Sequence, residues 1–169
     1  MVIELDISWK EEVFDYHPNS RAWVYQSNRL LSDAECSALE SELTQFVAHW
    51  TAHGSQLTAK AMVLYNRFVV LVADESRTAA SGCSIDASVH FLQKMEAQFD
   101  IQLFDRTQVA FVNANGQIET IHFTKVKSAL QSGALSATSL IFNNSIATKA
   151  ALTEQWLIPL EASWLKKYL

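Results

Sequence analysis

Six consecutive apolar residues, Phe68-Val69-Val70-Leu71-Val72-Ala73, constrain this chain most. The run is too short to cross a bilayer and has the length of a buried strand. It ends in Asp74-Glu75-Ser76, and a loop of mostly small residues follows from Arg77 to Ser84. Ile85, Val89, Leu92, Met95 or Glu96, and Phe99 then recur at helical spacing. Ser84 suits the N-cap of that helix and Asp86 its positive first turn. Gly82 and Cys83 therefore fall where a loop meets a helix N-terminus, a place that offers free backbone N–H groups and lowers thiol pKa values.

The rest of the chain is sorted around this unit. Ile3, Leu5, Ile7 and Trp9 alternate, which allows a short edge strand, and Pro18-Asn19 marks a turn. Ala22 to Gln26 reads as a strand. Ser32-Asp33-Ala34-Glu35 is a capping box, and the helix it opens carries Cys36, Leu39, Leu43, Phe46, Val47 and Trp50 on one face. Cys36 is thus expected in the core. The helix is expected to stop near His53-Gly54. Leu57–Leu64 and Phe68–Ala73 read as strands joined by the turn Tyr65-Asn66-Arg67. A strand over 108–113 is joined by the Asn115-Gly116 turn to a strand over 117–123. A short helix ends at Gly133, Leu140-Ile141-Phe142 reads as a strand, and Trp156–Leu160 as strand or helix end, broken by Pro159. A closing helix over 160–169 is expected to pack Trp164.

The element order over 22–113 is β-α-β-β-α-β. The expected class is α+β, with a ferredoxin-like βαββαβ core and a small C-terminal β-rich and helical appendage. The natural division is a core over 1–104 and a subdomain over 105–169 that shares its core. The length of 169 residues suits one such unit.

That order gathers loops at two ends of the sheet. One end collects Asn28, Arg29, Tyr65, Asn66, Arg67, Asp105 and Arg106. Guanidinium forks with asparagines can bind carboxylate or phosphate, so this end is a candidate anion pocket. The alternative is that Asp105 pairs with an arginine and the asparagines hold turns. The other end collects Trp50, His53, Gly54, Asp74, Glu75, Ser81, Cys83 and Ser84. Here Cys83 could act as nucleophile, His53 as base and Asp74 as its orienting group, with the helix N-terminus as oxyanion hole, and Ser81 and Ser84 could offer contacts to a ligand. The alternative is a tight small-residue loop with Cys83 as a small packed hydrophobe.

Charge and motifs narrow the function classes. The formal charge is −5, and Lys166-Lys167 is the one cluster of basic residues, which does not favour nucleic acid. His17, His49, His90 and His122 show no ligand spacing. His49 and His53 lie four apart but lack the glutamate of the zinc-protease motif, so no metal is expected. Neither G-x-x-x-x-G-K-[ST] nor G-x-G-x-x-G occurs, and no cofactor is expected. Met1–Asp6 has neither the basic start nor the apolar core of a signal peptide. Two distant cysteines, Cys36 and Cys83, make no disulfide framework, and a cytosolic setting without membrane insertion is expected.

Trp23-x-Tyr25-Gln26-x-Asn28-Arg29, Trp50-x-x-His53-Gly54, Tyr65-Asn66-Arg67-Phe68, Ala80 to Asp86, Phe104-Asp105-Arg106 and Phe142-Asn143-Asn144 occur together. In this combination the chain resembles a family of small bacterial proteins of unknown activity, often labelled "ABC transporter ATPase", from Arg21 to Trp164. The resemblance implies no mechanism, and the missing Walker lysine argues against the ATPase label. Residues 109–160, with the Asn115-Gly116 hairpin, Gly133-x-Leu135 and Trp156-x-x-Pro159, are similar to GYF-type adaptor modules. That likeness implies binding of extended peptides on aromatic surfaces. The Gly-Pro-aromatic core of those modules is replaced here by Glu119 to Phe123.

The first expectation is therefore a non-catalytic binding or adaptor protein that holds a small anionic ligand or a protein partner. The alternative is a thiol enzyme or redox sensor using Cys83. Trp-rich faces also allow a homo-oligomer or a purely structural subunit.

Overall fold

The apolar run becomes the middle strand of an antiparallel sheet. In the computed structural model, which describes residues 5–169, the first part of the chain forms β1 (Arg21–Gln26), α1 (Asp33–Ala48), a small hairpin of β2 (Thr51–Ala52) and β3 (Ser55–Gln56), β4 (Thr58–Leu64), β5 (Phe68–Asp74) and α2 (Gly82–Phe99). The second part forms β6 (Gln108–Val112), β7 (Ile118–His122), α3 (Val126–Ser132), β8 (Leu140–Phe142), α4 (Lys149–Gln155) and β9 (Leu157–Pro159). Short 3₁₀ helices occupy Ser8–Val13, Phe123–Lys125, Leu160–Ala162 and Trp164–Tyr168.

The first sheet has the order β1-β5-β4, with Trp23 opposite Leu71 and Ala61 opposite Leu71 on the other side. The six residues Phe68 to Ala73 are each at most 1% exposed, so both faces of this sheet are covered. Their side chains alternate between two cores. Val69, Leu71 and Ala73 meet Leu39 and Leu43 of α1 and Leu92 and Met95 of α2. Phe68, Val70 and Val72 meet Ala110, Val112, Phe142, Leu152 and Trp156 of the second part. The second sheet has the order β7-β6-β8-β9, and its far face packs Val109, Phe111 and Ile141 against Val126, Leu160 and Leu165. The result is four layers: two helices, two sheets, then α3 with the closing 3₁₀ turns.

The α+β class holds. The β1-β5-β4 order matches the first three strands of the ferredoxin-like arrangement. The fourth strand departs, because β6 pairs with β7 and β8 instead of β1. The reason lies at the free edge of β1. Ala22 N–H donates to Ala147 C=O at 3.0 Å and Lys149 N–H to Ser20 C=O at 2.7 Å, so returning chain from the second part already holds that edge. Residues on both sides of the expected 104/105 division share the core between the sheets.

Local expectations differ in five places. Leu5 and Ile7 are not in a strand and Trp9 lies in a 3₁₀ helix, while Ile3 falls outside the described residues. The helix α1 ends at Ala48, and His53 and Gly54 instead form the turn of the β2–β3 hairpin, both at positive φ (53° and 77°) as a two-residue turn of the I′ kind requires. Ser81, not Ser84, caps α2, and Ser84 completes a capping box from the third helical position. The helix α4, capped by Thr148, appears in a stretch left unassigned by its sequence. Trp164 is 47% exposed, and its neighbour Leu165 takes the buried place in the closing turn. Pro159 sits on β9, an edge strand, where a missing N–H is tolerated.

Candidate functional site

The residues of the expected anion pocket are divided between structural roles and one open cleft. Arg29 is fully engaged. Its guanidinium grips Glu35 through two bonds of 3.0 and 2.8 Å, and also donates to Phe99 C=O at 2.7 Å and Asp100 C=O at 3.3 Å. It therefore joins the start of α1 to the C-terminus of α2, where a cation suits the helix dipole. The bond from Arg29 and that from Ser32 N–H push the Glu35 carboxyl down to about 2. Asn28 is tied to Gln102, whose N–H it accepts at 2.8 Å. Asn66, at φ 53°, donates to Leu31 C=O and Asp33. Tyr65, also at positive φ, donates from its hydroxyl to Asp6 C=O and accepts from Trp9 Nε1. Arg67 is 6% exposed and donates to Ser27 C=O at 3.2 Å, while its Nε has no hydrogen-bond partner among the described residues. Burial lowers the pKa of Arg67.

The three residues of the thiol constellation are not joined by hydrogen bonds among the described residues. Cys83 is exposed in the first turn of α2, and no hydrogen bond joins it to His53 or Asp74 among the described residues. Asp74 accepts instead from Ser76 N–H at 2.9 Å and His17 N–H at 3.4 Å, and these contacts, Ser76 foremost, lower its pKa. His53 is an exposed hairpin-turn residue. Ser81 and Ser84, expected to offer ligand contacts, cap each other: Ser84 N–H donates to Ser81 Oγ at 3.1 Å and Ser81 N–H to Ser84 Oγ at 2.8 Å. Trp50 locks this turn by donating Nε1 to Ser84 C=O at 2.7 Å.

Asp105 and Arg106 lead from α2 into β6 and reach the seam between the two sheets. A cleft of about 230 Å³ opens there, walled by Val24, Gln26, Arg106, Phe142, Asn144 and Trp164. A second hollow of about 260 Å³ runs on along β1 and shares Val24, Arg106, Asn144 and Ser145 with the first. The floor is an amide ladder. Gln26 Nε2 donates to Gln108 C=O at 3.3 Å, Asn144 Nδ2 to Gln26 Oε1 at 2.9 Å, and Trp156 Nε1 to Asn144 Oδ1 at 3.0 Å. Asp105 is turned to Thr107, accepting from its N–H at 2.8 Å and its hydroxyl at 2.6 Å, and these bonds hold its carboxyl below the usual range. Arg106 is exposed and has no ion pair or hydrogen bond to a described residue.

Family models, curated proteins and solved structures give no match to this chain. The site therefore rests on its geometry. Aromatic side chains, bonded amides and a guanidinium without a partner among the described residues can bind a ligand, and among those residues no hydrogen-bonded nucleophile–base pair lines the cleft. Among the described residues no group of three or more His, Cys, Asp or Glu could hold a metal, and no helix is long and apolar enough to cross a membrane. Sequence reasoning reached Asp105 and Arg106 but not Gln26, Gln108 and Asn144 as cleft residues. One signal was available: Gln26 is a polar side chain directly after Trp23-Val24-Tyr25 on a strand.

Proposed function

We propose that this is a non-catalytic binding protein that holds a small anionic ligand in the cleft between its sheets. The observation that carries this reading is the contrast among the three arginines. Arg29 is engaged by Glu35 and three carbonyls, Arg67 is buried, and of the three Arg106 alone has no partner among the described residues, at a cleft with a polar floor. A guanidinium without a protein partner, at the mouth of a small cavity, favours a carboxylate or phosphate group. The amide ladder supplies orientation, and Phe142 and Trp164 supply apolar contact for the rest of a ligand. The two free thiols support a reducing, cytosolic setting as part of the same reading.

A thermal-shift screen with acetate, succinate, phosphate and sulfate tests it. A ligand at about 100 times its Kd stabilises by about 2.7 kcal/mol, which is roughly 5–10 °C for a chain of this size at about 2–4 °C per kcal/mol. Arg106→Ala abolishes the shift, while Arg77→Ala, at an exposed position outside the cleft, keeps it. Equal shifts in both variants would remove Arg106 as the anchor.

A further inference from the structure

The walls of the cleft include backbone as well as side chains. In an antiparallel pair, successive residues point their N–H and C=O groups alternately toward and away from the partner strand. Ser27 N–H donates to Arg67 C=O at 2.7 Å, continuing the β1–β5 ladder, so Tyr25 and Trp23 also face β5. Ala22, Val24 and Gln26 then face the other way. Ala22 N–H meets Ala147 C=O at 3.0 Å, as this alternation requires. Beyond that bond the 144–147 segment leaves β1, and the two hollows open between them. The gap closes again at Gln26, whose side chain reaches Gln108 and Asn144.

Between these closures lies Val24. It is 3% exposed, and by this alternation its N–H and C=O point away from β5, on the side where neither bonds to a described loop residue. Nearly all buried backbone polar groups have a partner, and a pair left without one is costly. Val24 lines both hollows, and so does Arg106. The opening is centred on Val24, with the Ala22–Ala147 bond on one side and the side chains of the amide ladder on the other. It is too short for an added strand of several residues, but it suits one residue-sized group.

Building on the anion-binding reading, we infer that the ligand is an N-acylated amino acid, free or as the C-terminal residue of a peptide. Its N–H donates to Val24 C=O. One carboxylate oxygen accepts from Val24 N–H, and the carboxylate also accepts from the Arg106 guanidinium, giving charge-assisted bonds at one end. Its side chain or acyl group lies against Leu103, Val109, Phe142 and Trp164. A simple anion such as acetate satisfies Arg106 and Val24 N–H but leaves Val24 C=O without a donor.

The test is calorimetric titration of the intact protein with N-acetyl-L-leucine, its C-terminal amide and acetate, with the Val24 amide followed by NMR. The inference predicts that N-acetyl-L-leucine binds at least about tenfold more tightly than acetate or the capped amide, that the Val24 amide resonance moves, and that Arg106→Gln removes the gain. Equal binding of acetate and N-acetyl-L-leucine at the cleft would overturn it and leave the anion reading standing. Binding by none of the carboxylates would overturn both. An unmoved Val24 resonance on saturation would show that water alone serves these groups. A tetrapeptide with a free C-terminal leucine separates the sources: affinity equal to that of N-acetyl-L-leucine identifies a protein C-terminus, and exclusion of the peptide identifies a free metabolite.

Discussion

Gln26 and Asn144, 118 residues apart in sequence, are joined by a 2.9 Å hydrogen bond across the seam between the two sheets. Asn144 also accepts from Trp156 Nε1, and Gln26 also donates to Gln108 C=O. This short network fixes the distance between β1 and the returning chain, and so the width of the cleft.

Asn144→Ala removes two bonds at once and leaves Gln26 Oε1 and Trp156 Nε1 without partners. Leaving buried polar groups unsatisfied costs about 1–3 kcal/mol each. The expected outcome in urea denaturation is a lower midpoint with an unchanged slope. A midpoint within error of the wild type would show that the network contributes nothing to stability.

The Arg29–Glu35 pair makes stability depend on acid. Glu35 titrates at about 2 in the folded protein, against an ordinary value of about 4.3. A depressed folded-state pKa means stability that is fully present above the unfolded value and lost as pH falls toward 2. Asp74 and Asp105 are shifted in the same direction and add to the effect. A Tm profile measured from pH 6 to pH 2 should therefore fall below about pH 4.5, and Glu35→Gln should flatten part of that fall. An identical profile in the variant would contradict the role given to the pair.

Arg67 answers differently from Arg29. Its buried guanidinium has one backbone carbonyl and no carboxylate within ion-pair distance among the described residues. Burying a charge without an ion-pair partner is costly, so its replacement by an apolar side chain of similar size removes a desolvation penalty. Arg67→Met should keep or raise the Tm, whereas Arg29→Met should lower it. A large loss in Arg67→Met would mean that Arg67 has a partner in solution.

The two thiols should separate on alkylation. Cys83 is exposed and Cys36 half-buried, with burial, and then Glu40, raising the Cys36 pKa. Native protein should lose Cys83 rapidly to iodoacetamide and Cys36 slowly, as followed by mass spectrometry. His53→Ala should leave the pH profile of Cys83 alkylation unchanged. A changed profile would restore the thiol reading.

What the sequence made legible was local. The run Phe68–Ala73 announced a buried strand, Ser32 to Glu35 announced a capping box, and Asn115-Gly116 announced a hairpin, because each is decided by neighbouring residues. The departure of β6 was not legible, since it depends on Ala147 reaching Ala22 across 125 residues of chain. The His53–Cys83–Asp74 grouping came from assigning loops to one end of a sheet. In the structure His53 lies in the β2–β3 turn at positive φ, and no hydrogen bond joins it to Cys83 or Asp74 among the described residues. Arg106 could be named from the sequence as a candidate, but its freedom could not, because that depends on Asp105 choosing Thr107.

The most direct test of the central claim is a map of backbone amide shifts as a stabilising anion is titrated into the protein. The account predicts movements centred on Val24, Gln26, Arg106, Gln108 and Asn144, absent in Arg106→Ala. Shifts centred on Lys166 and Lys167, or spread evenly over the surface, would contradict it.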